Sequence, residues 1–351
     1  MSSKVDIITG CSGQDGSLLT KYLLEQGRSV IGICRASSDL KNLNRLKILD
    51  NPRLSIIKLS NGLEYLDLFL EYNRIDNFFH FAGFSSVGKS FKFRNDAYQA
   101  NLELPITIAS SMLRANVEEC TFWQASSAYI FNCDQPIDSD SPYRAFSPYA
   151  SSKLKALKAL KSVFENTSIE IVPIHWFNHS GSFSNENFII PKIMNKVAQG
   201  VLGGKKEVIV SLYDQEVRRD WGVADNFMSR LAGSLERKSL IQEQNKNGIY
   251  ASSSINASVR ELLEEISRQC GLSIIVEILG NNMGERPWDP RNVSVSSKCA
   301  AEQVLSFKQE SLQEVVKEWL DDFTEYMSNI HPSSFTKHFS CHPPRHTPTG
   351  I

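Results

Sequence analysis

The sequence predicts an α/β fold, a doubly wound parallel sheet with a smaller α/β region after it. Three observations lead there. Short apolar or β-branched runs alternate with helical patterns as far as about residue 175, the pattern of a parallel sheet covered on both faces. The first run turns directly into Gly10-Cys11-Ser12-Gly13-Gln14-Asp15-Gly16, and a helical pattern of Leu18, Leu19, Tyr22 and Leu23 comes next. Much later, Ser147-Pro148-Tyr149-Ala150-Ser151-Ser152-Lys153 sets a tyrosine and a lysine four positions apart, on one face of a helix.

Taken in order, strands are expected at 5–9, 29–33, 54–59, 76–82, 119–126 and 169–176. Val5-Asp6-Ile7-Ile8-Thr9, the glycine-rich turn and the helix after it form the strand, loop and helix of a dinucleotide site. Gly10, Gly13 and Gly16 let the backbone approach a pyrophosphate, and the amides at Gln14 and Asp15 open the helix toward it. The second strand runs into Cys34-Arg35-Ala36-Ser37-Ser38. An acidic residue at that point would accept from a ribose 2′-hydroxyl, whereas an arginine suits a 2′-phosphate. Arg35, with Ser37 or Ser38 as a further donor, therefore favours NADP over NAD.

Beyond Asn178 the pattern loosens, with helices expected near 188–200, 223–236, 257–271 and 309–329. The division expected is a Rossmann-type NADP-binding domain over 1–177 and a smaller α/β substrate-binding region over 178–330, interleaved with the first. Residues 331–351 carry His331, His338, Cys341, His342 and His346 among prolines, serines and threonines. Their spacing fits no compact metal-ligand set and the composition suits a disordered tail.

The whole chain sets outer limits. With 351 residues it has room for one large domain or two smaller ones. A net charge of −1 from 38 basic and 39 acidic side chains gives no electrostatic signature for nucleic acid or an anionic membrane. No apolar run nears the roughly 20 residues of a membrane span, and the N-terminus lacks a signal-peptide pattern. The seven cysteines are scattered without C-x-x-C spacing, as in a reduced, cytoplasmic protein.

The chemistry concentrates at Tyr149 and Lys153. A lysine ammonium beside a phenol favours the phenolate, so a group with an ordinary pKa of about 10 can accept a proton nearer neutrality. The fifth strand ends at Ser126-Ser127, where a hydroxyl can hold a substrate alcohol while Tyr149 takes its proton.

With these features assembled, the chain resembles the extended short-chain dehydrogenase/reductases and, within them, the GDP-mannose 4,6-dehydratase family. The resemblance spans roughly residues 4–325. It is most specific at Ile8-Thr9-Gly10 through Gly13-Gln14-Asp15-Gly16-Ser17, Ser147-Pro148-Tyr149-Ala150, Phe177-Asn178-His179, Arg219-Asp220-Trp221-Gly222 and Arg286-Pro287. It implies that Tyr149 is the base at C4 of the sugar, Lys153 its electrostatic and ribose-binding partner, and Ser127 the neighbouring hydroxyl. It further implies Asn178, Lys192, Arg219 and Arg286 as contacts of the nucleotide-sugar diphosphate, GDP-mannose as favoured substrate, and a homodimer or homotetramer.

The chain also departs from the family. Where members read approximately Ser-Thr-Ser-Glu-Leu-Tyr-Gly, this chain reads Ser126-Ser127-Ala128-Tyr129-Ile130-Phe131-Asn132, so Tyr129 stands where the elimination glutamate is expected. The acidic residue expected after the third strand is Ser60 or Asn61, the asparagine ending the fourth is His80, and a paired-arginine segment of the tetramer reads Phe183-Ser184. Asp134 and Glu186 are the candidate carboxylates to replace the glutamate. Three readings stand open: a 4,6-dehydratase with Tyr129 in the glutamate's place, a 4-epimerase or 4-ketosugar reductase on the same scaffold, and a non-catalytic nucleotide binder.

Overall fold

A computed structural model describes residues 4–59, 66–71, 73–237, 248–280, 289–297, 299 and 310–330. Ser60, Asn61, Arg286 and the 331–351 tail lie outside them. The first six strands are β1 (Val5–Thr9), β2 (Ser29–Arg35), β3 (Leu54–Leu59), β4 (Ile75–His80), β5 (Thr121–Ala125) and β6 (Glu170–Trp176). After them come β7 (His179–Ser180), β8 (Glu207–Leu212), β9 (Arg218–Asp220), β10 (Gly222–Val223) and β11 (Ile249–Ala251). The last are β12 (Asn256–Ser258), β13 (Ser273–Ile278) and β14 (Asn292–Val293).

Seven of these form one sheet in the order β11-β6-β5-β4-β1-β2-β3, every pair parallel. Both faces are covered. Ile8, Phe79, Trp123 and Ile174 pack on one side against the helices Gln14–Glu25 and Ala224–Ser234, while Ile7, Phe78 and Phe122 pack on the other with Ile108, Met112 and Leu160. That double burial is why the strands read as apolar runs instead of alternating.

The strand order reverses at β1, whose neighbours are β2 on one side and β4 on the other. Chains leaving β1 and β4 in opposite directions open a crevice at their carboxyl ends, where open α/β sheets bind ligands. The seventh strand was not expected from the sequence. Ile249-Tyr250-Ala251 is too short to show a period, and it becomes a strand because it pairs with β6 and is buried there.

A second core lies in the later residues. The helices Ile189–Leu202, Val259–Cys270 and Leu312–Ile330 enclose Met194, Val197, Val210, Leu262, Trp319 and Phe323, with β8 paired to β13. Between the cores the chain crosses repeatedly: helix Ala224–Ser234 and β11 return to the large sheet. Phe183 is held within the chain, with the Arg45 guanidinium 4.0 Å from its ring centre and Asn42 donating to its carbonyl.

Candidate active site

The glycine loop is shaped by contacts that no side chain could share. Gly10 has φ +76°, and a Cβ there would meet the Ala82 amide nitrogen at 2.8 Å. At Gly16 a Cβ would lie 2.3 Å from the Gly10 carbonyl oxygen, and at Gly13 3.3 Å from it. The loop therefore delivers helix Gln14–Glu25 with its first amides facing the crevice, and no side chain caps them. Across the crevice, Gly83 is equally constrained: a Cβ would sit 2.7 Å from Asn101 Oδ1 and 3.3 Å from Lys153 Nζ. This cradle fits a dinucleotide diphosphate. Arg35 and Ser37 lie exposed at the end of β2 and just after it.

Ser147 starts the next helix, Pro148–Phe164, by accepting from the Ala150 amide at 3.1 Å, with Pro148 pre-set at its first position. Tyr149 and Lys153 then share the face toward the sheet. Lys153 Nζ donates to the Ala125 carbonyl at 2.9 Å, and the Ser127 side chain hydrogen-bonds the Tyr149 side chain. Burial pushes the Tyr149 phenol up to about 12, against the Ser127 hydrogen bond, with Tyr129 and Asp15 adding to the rise. The expected lowering of the phenol is thus reversed in the protein alone. Burial also brings Lys153 down to about 8, opposed by Asp15.

Ser127 caps a short turn, Ala128–Ile130, and its Oγ accepts from the Tyr129 amide at 3.2 Å. The turn aims Tyr129 at Arg219. The guanidinium carbon lies 6.0 Å from the ring centre, at the outer limit of cation–π contact, and the two side chains hydrogen-bond. Arg219 is buried and heavily engaged: Nη1 donates to the carbonyls of Arg218 at 2.7 Å and Pro290 at 2.9 Å, and Nη2 pairs with Asp289 at 2.9 Å. Burial opposes its charge, but Tyr129 and Asp289 outweigh this and hold it protonated.

The other expected site residues fall at varied places. Asn178 lies between β6 and β7, its carbonyl accepting from Gly222 at 3.0 Å. Lys192 is exposed on the first turn of helix Ile189–Leu202. Asp134 is exposed and paired with Arg144, and Glu186 is exposed. A fully buried carboxylate is instead Asp220, held away from these candidates by Ser252, from which it accepts at 2.6 Å, and by Ser253, from which it accepts twice; burial lifts it to about 6.

Two histidines not expected as site residues lie close to this set. His80 is fully buried with Nδ1 2.9 Å from Thr9 Oγ1, and burial lowers it to about 3, so it is neutral. His179 places Nε2 3.1 Å from Asp15 Oδ1 and Nδ1 2.8 Å from the Phe177 carbonyl. Its place directly after Asn178 was the available signal.

Comparison with known proteins decides the family. The GDP-mannose 4,6-dehydratase family model matches residues 7–306. The chain belongs to the GDP-mannose 4,6-dehydratase family. Among curated relatives, GDP-mannose 4,6 dehydratase 1 of Arabidopsis thaliana is 24% identical over 334 residues, covering 92% of this chain and 90% of that protein. The GDP-mannose 4,6-dehydratase of Vibrio cholerae serotype O1 is 28% identical over 303 residues, covering 82% and 76%. Among solved structures, the UDP-N-acetylglucosamine 4-epimerase of Methanobrevibacter ruminantium in complex with UDP-N-acetylmuramic acid has a TM-score of 0.72 at 24% identity, covering 94% of this chain and all of that one, and shares the fold. This chain is accordingly a nucleotide-sugar-modifying enzyme of a family that works with a nicotinamide dinucleotide.

Proposed function

We propose that this chain oxidises the sugar of GDP-mannose at C4 with NADP, the opening step of the 4,6-dehydratase reaction. The observation that carries this reading is the hydrogen-bonded Ser127–Tyr149 pair with the Lys153 ammonium behind it, at the mouth of a glycine cradle. A bound nicotinamide supplies a reversible hydride acceptor. Ser127 holds the C4 hydroxyl, Tyr149 takes its proton, and Lys153 stabilises the phenolate that forms. The backbone at Gly10, Gly13 and Gly16 and the amides of Gln14 and Asp15 would hold the pyrophosphate, and Arg35 with Ser37 the 2′-phosphate that distinguishes NADP. Asn178, Lys192, Arg219 and Arg286 are proposed toward the substrate diphosphate, Arg219 with few donors to spare.

The fate of the 4-keto sugar turns on Tyr129. In a dehydratase its oxygen removes the proton from C5, beside the new ketone, and Arg219 favours the anionic form of that oxygen. The phenol in place of a carboxylate also favours a second reading, a 4-epimerase or 4-ketosugar reductase, which needs only the C4 apparatus. Mass-resolved chromatography of GDP-mannose incubated with protein and NADP separates the dehydratase from the epimerase, and NADPH consumption with a 4-keto sugar identifies the reductase. Loss of one water supports the dehydratase, unchanged mass at a new retention time the epimerase, and no conversion at all removes GDP-mannose as the substrate.

A further inference from the structure

Asp15 is an awkward residue in a phosphate loop. It stands second in the helix that opens at Gly13, so its carboxylate shares the helix N-terminus with the diphosphate proposed there, and two anions in one crevice repel. The structure supplies the compensation from the other half of the chain. His179, nine-tenths buried, brings Nε2 to 3.1 Å from Asp15 Oδ1, the same oxygen that accepts from Gln14 Nε2 at 2.8 Å. Its other nitrogen, Nδ1, faces the Phe177 carbonyl at 2.8 Å.

Both ring nitrogens therefore face oxygen acceptors. A neutral imidazole has one N–H and would turn a lone pair on one of them, so the geometry calls for an imidazolium against a carboxylate. The ring lies stacked on Phe227, with centres 5.0 Å apart and planes 13° from parallel, and it also touches Trp176. Aromatic faces on a cation suit the same assignment.

We propose that His179 is the positioning residue that neutralises Asp15 and so makes the Gly-Gln-Asp-Gly loop able to accept a dinucleotide diphosphate, coupling cofactor binding to the strand that opens the substrate-binding region. The proposal rests on the dinucleotide reading above. Burial opposes the charge on His179, yet Asp15 and the Phe177 carbonyl raise its pKa above 6.5; burial likewise opposes ionisation of Asp15, yet His179, Gln14 and Lys153 lower its pKa. The charged groups facing the pair are Lys153 from helix Pro148–Phe164 and Asp220 from β9. The pair is net neutral between the lowered Asp15 value and the raised His179 value and carries a net negative charge above the latter, so dinucleotide affinity falls as pH rises through it.

The test is NADP binding by calorimetry across pH for the full chain, compared among wild type, His179→Phe, Asp15→Asn and the double variant. Phenylalanine keeps the stack on Phe227, and a thermal melt confirms folding of each variant. Lys153 also loses charge near pH 8, so the decisive quantity is the difference between wild type and His179→Phe. At neutral pH His179→Phe should bind roughly 10- to 100-fold more weakly, the scale of one uncompensated charge in a shielded site. The added Asp15→Asn change should restore affinity, which a purely structural histidine would not allow. Equal affinity and pH dependence in wild type and His179→Phe, or no recovery in the double variant, overturns the inference while leaving the cofactor reading intact. No binding by any form at any pH overturns both.

Discussion

Lys153 Nζ donates to the Ala125 carbonyl at 2.9 Å, which ties the helix carrying Tyr149 to the last residue of β5. The contact fixes the ammonium at the carboxyl end of β5 before any ligand arrives. It also explains how a lysine survives at 6% exposure: a charge-assisted hydrogen bond and the nearby Asp15 carboxylate offset part of its desolvation.

The pH dependence of C4 oxidation derives from this lysine. Burial brings Lys153 to about 8, so the ammonium that supports the Tyr149 phenolate is present below that pH and is lost above it. With the phenol at about 12 and the ammonium at about 8, single-turnover oxidation followed by nicotinamide absorbance should rise up to about pH 8 and then level off, as loss of the ammonium cancels the gain in phenolate. Lys153→Met should slow it by about 10²- to 10⁴-fold at pH 7. A break near pH 8 that remained in the variant's residual rate would assign it to another group.

Restoring a carboxylate tests Tyr129. Tyr129→Glu should speed formation of the water-loss product from GDP-mannose over wild type by about 10²- to 10⁴-fold, the usual worth of a positioned proton-transfer group. A product profile identical to wild type, in a variant that melts normally, would show that residue 129 does not decide the outcome.

Cofactor choice should lie with Arg35. Its removal in Arg35→Asp takes away a charge-assisted contact to the 2′-phosphate and supplies an acceptor for a ribose hydroxyl. NADP affinity should fall by about 10- to 100-fold while NAD affinity holds or rises. Calorimetric titration with both nucleotides reads this directly, and an unchanged ratio would place 2′-phosphate recognition elsewhere.

At Gly16 the structure has no room. An added Cβ would meet the Gly10 carbonyl oxygen at 2.3 Å, a clash with backbone that no rotamer relieves. Gly16→Ala should cost about 1–3 kcal/mol of stability and weaken NADP binding, whereas Gly233→Ala, with open space around it on helix Ala224–Ser234, should not destabilise. Urea unfolding of both variants makes the comparison.

Asp220 is a structural carboxylate with its own pH signature. Burial lifts it from 3.8 to about 6, so the folded state holds the proton more tightly and this group's contribution to stability falls as pH rises between those values. Asp220→Asn should remove that slope. Asp220→Ala should cost about 1–3 kcal/mol by leaving the Ser252 hydroxyl and the Ser253 amide unpaired, as measured by denaturant unfolding at pH 4 and pH 7.

By itself the sequence determined what is local. The six principal strands, the glycine loop and the Tyr149 helix with its Ser147 cap come from apolar runs, backbone freedom and capping chemistry that act within a few residues. The exchange of a glutamate for Tyr129 is likewise a matter of reading one position. Tertiary structure alone decided what depends on distant partners. Ile249–Ala251 is a strand because β6 is beside it, Arg219 turns toward Tyr129 because Asp289 and Pro290 hold it there, and Asp15 meets His179 across 164 residues. The Tyr149 phenol shows the reason most plainly. Its lysine neighbour could be read from spacing, but the burial that pushes it up to about 12 is a property of everything packed around it.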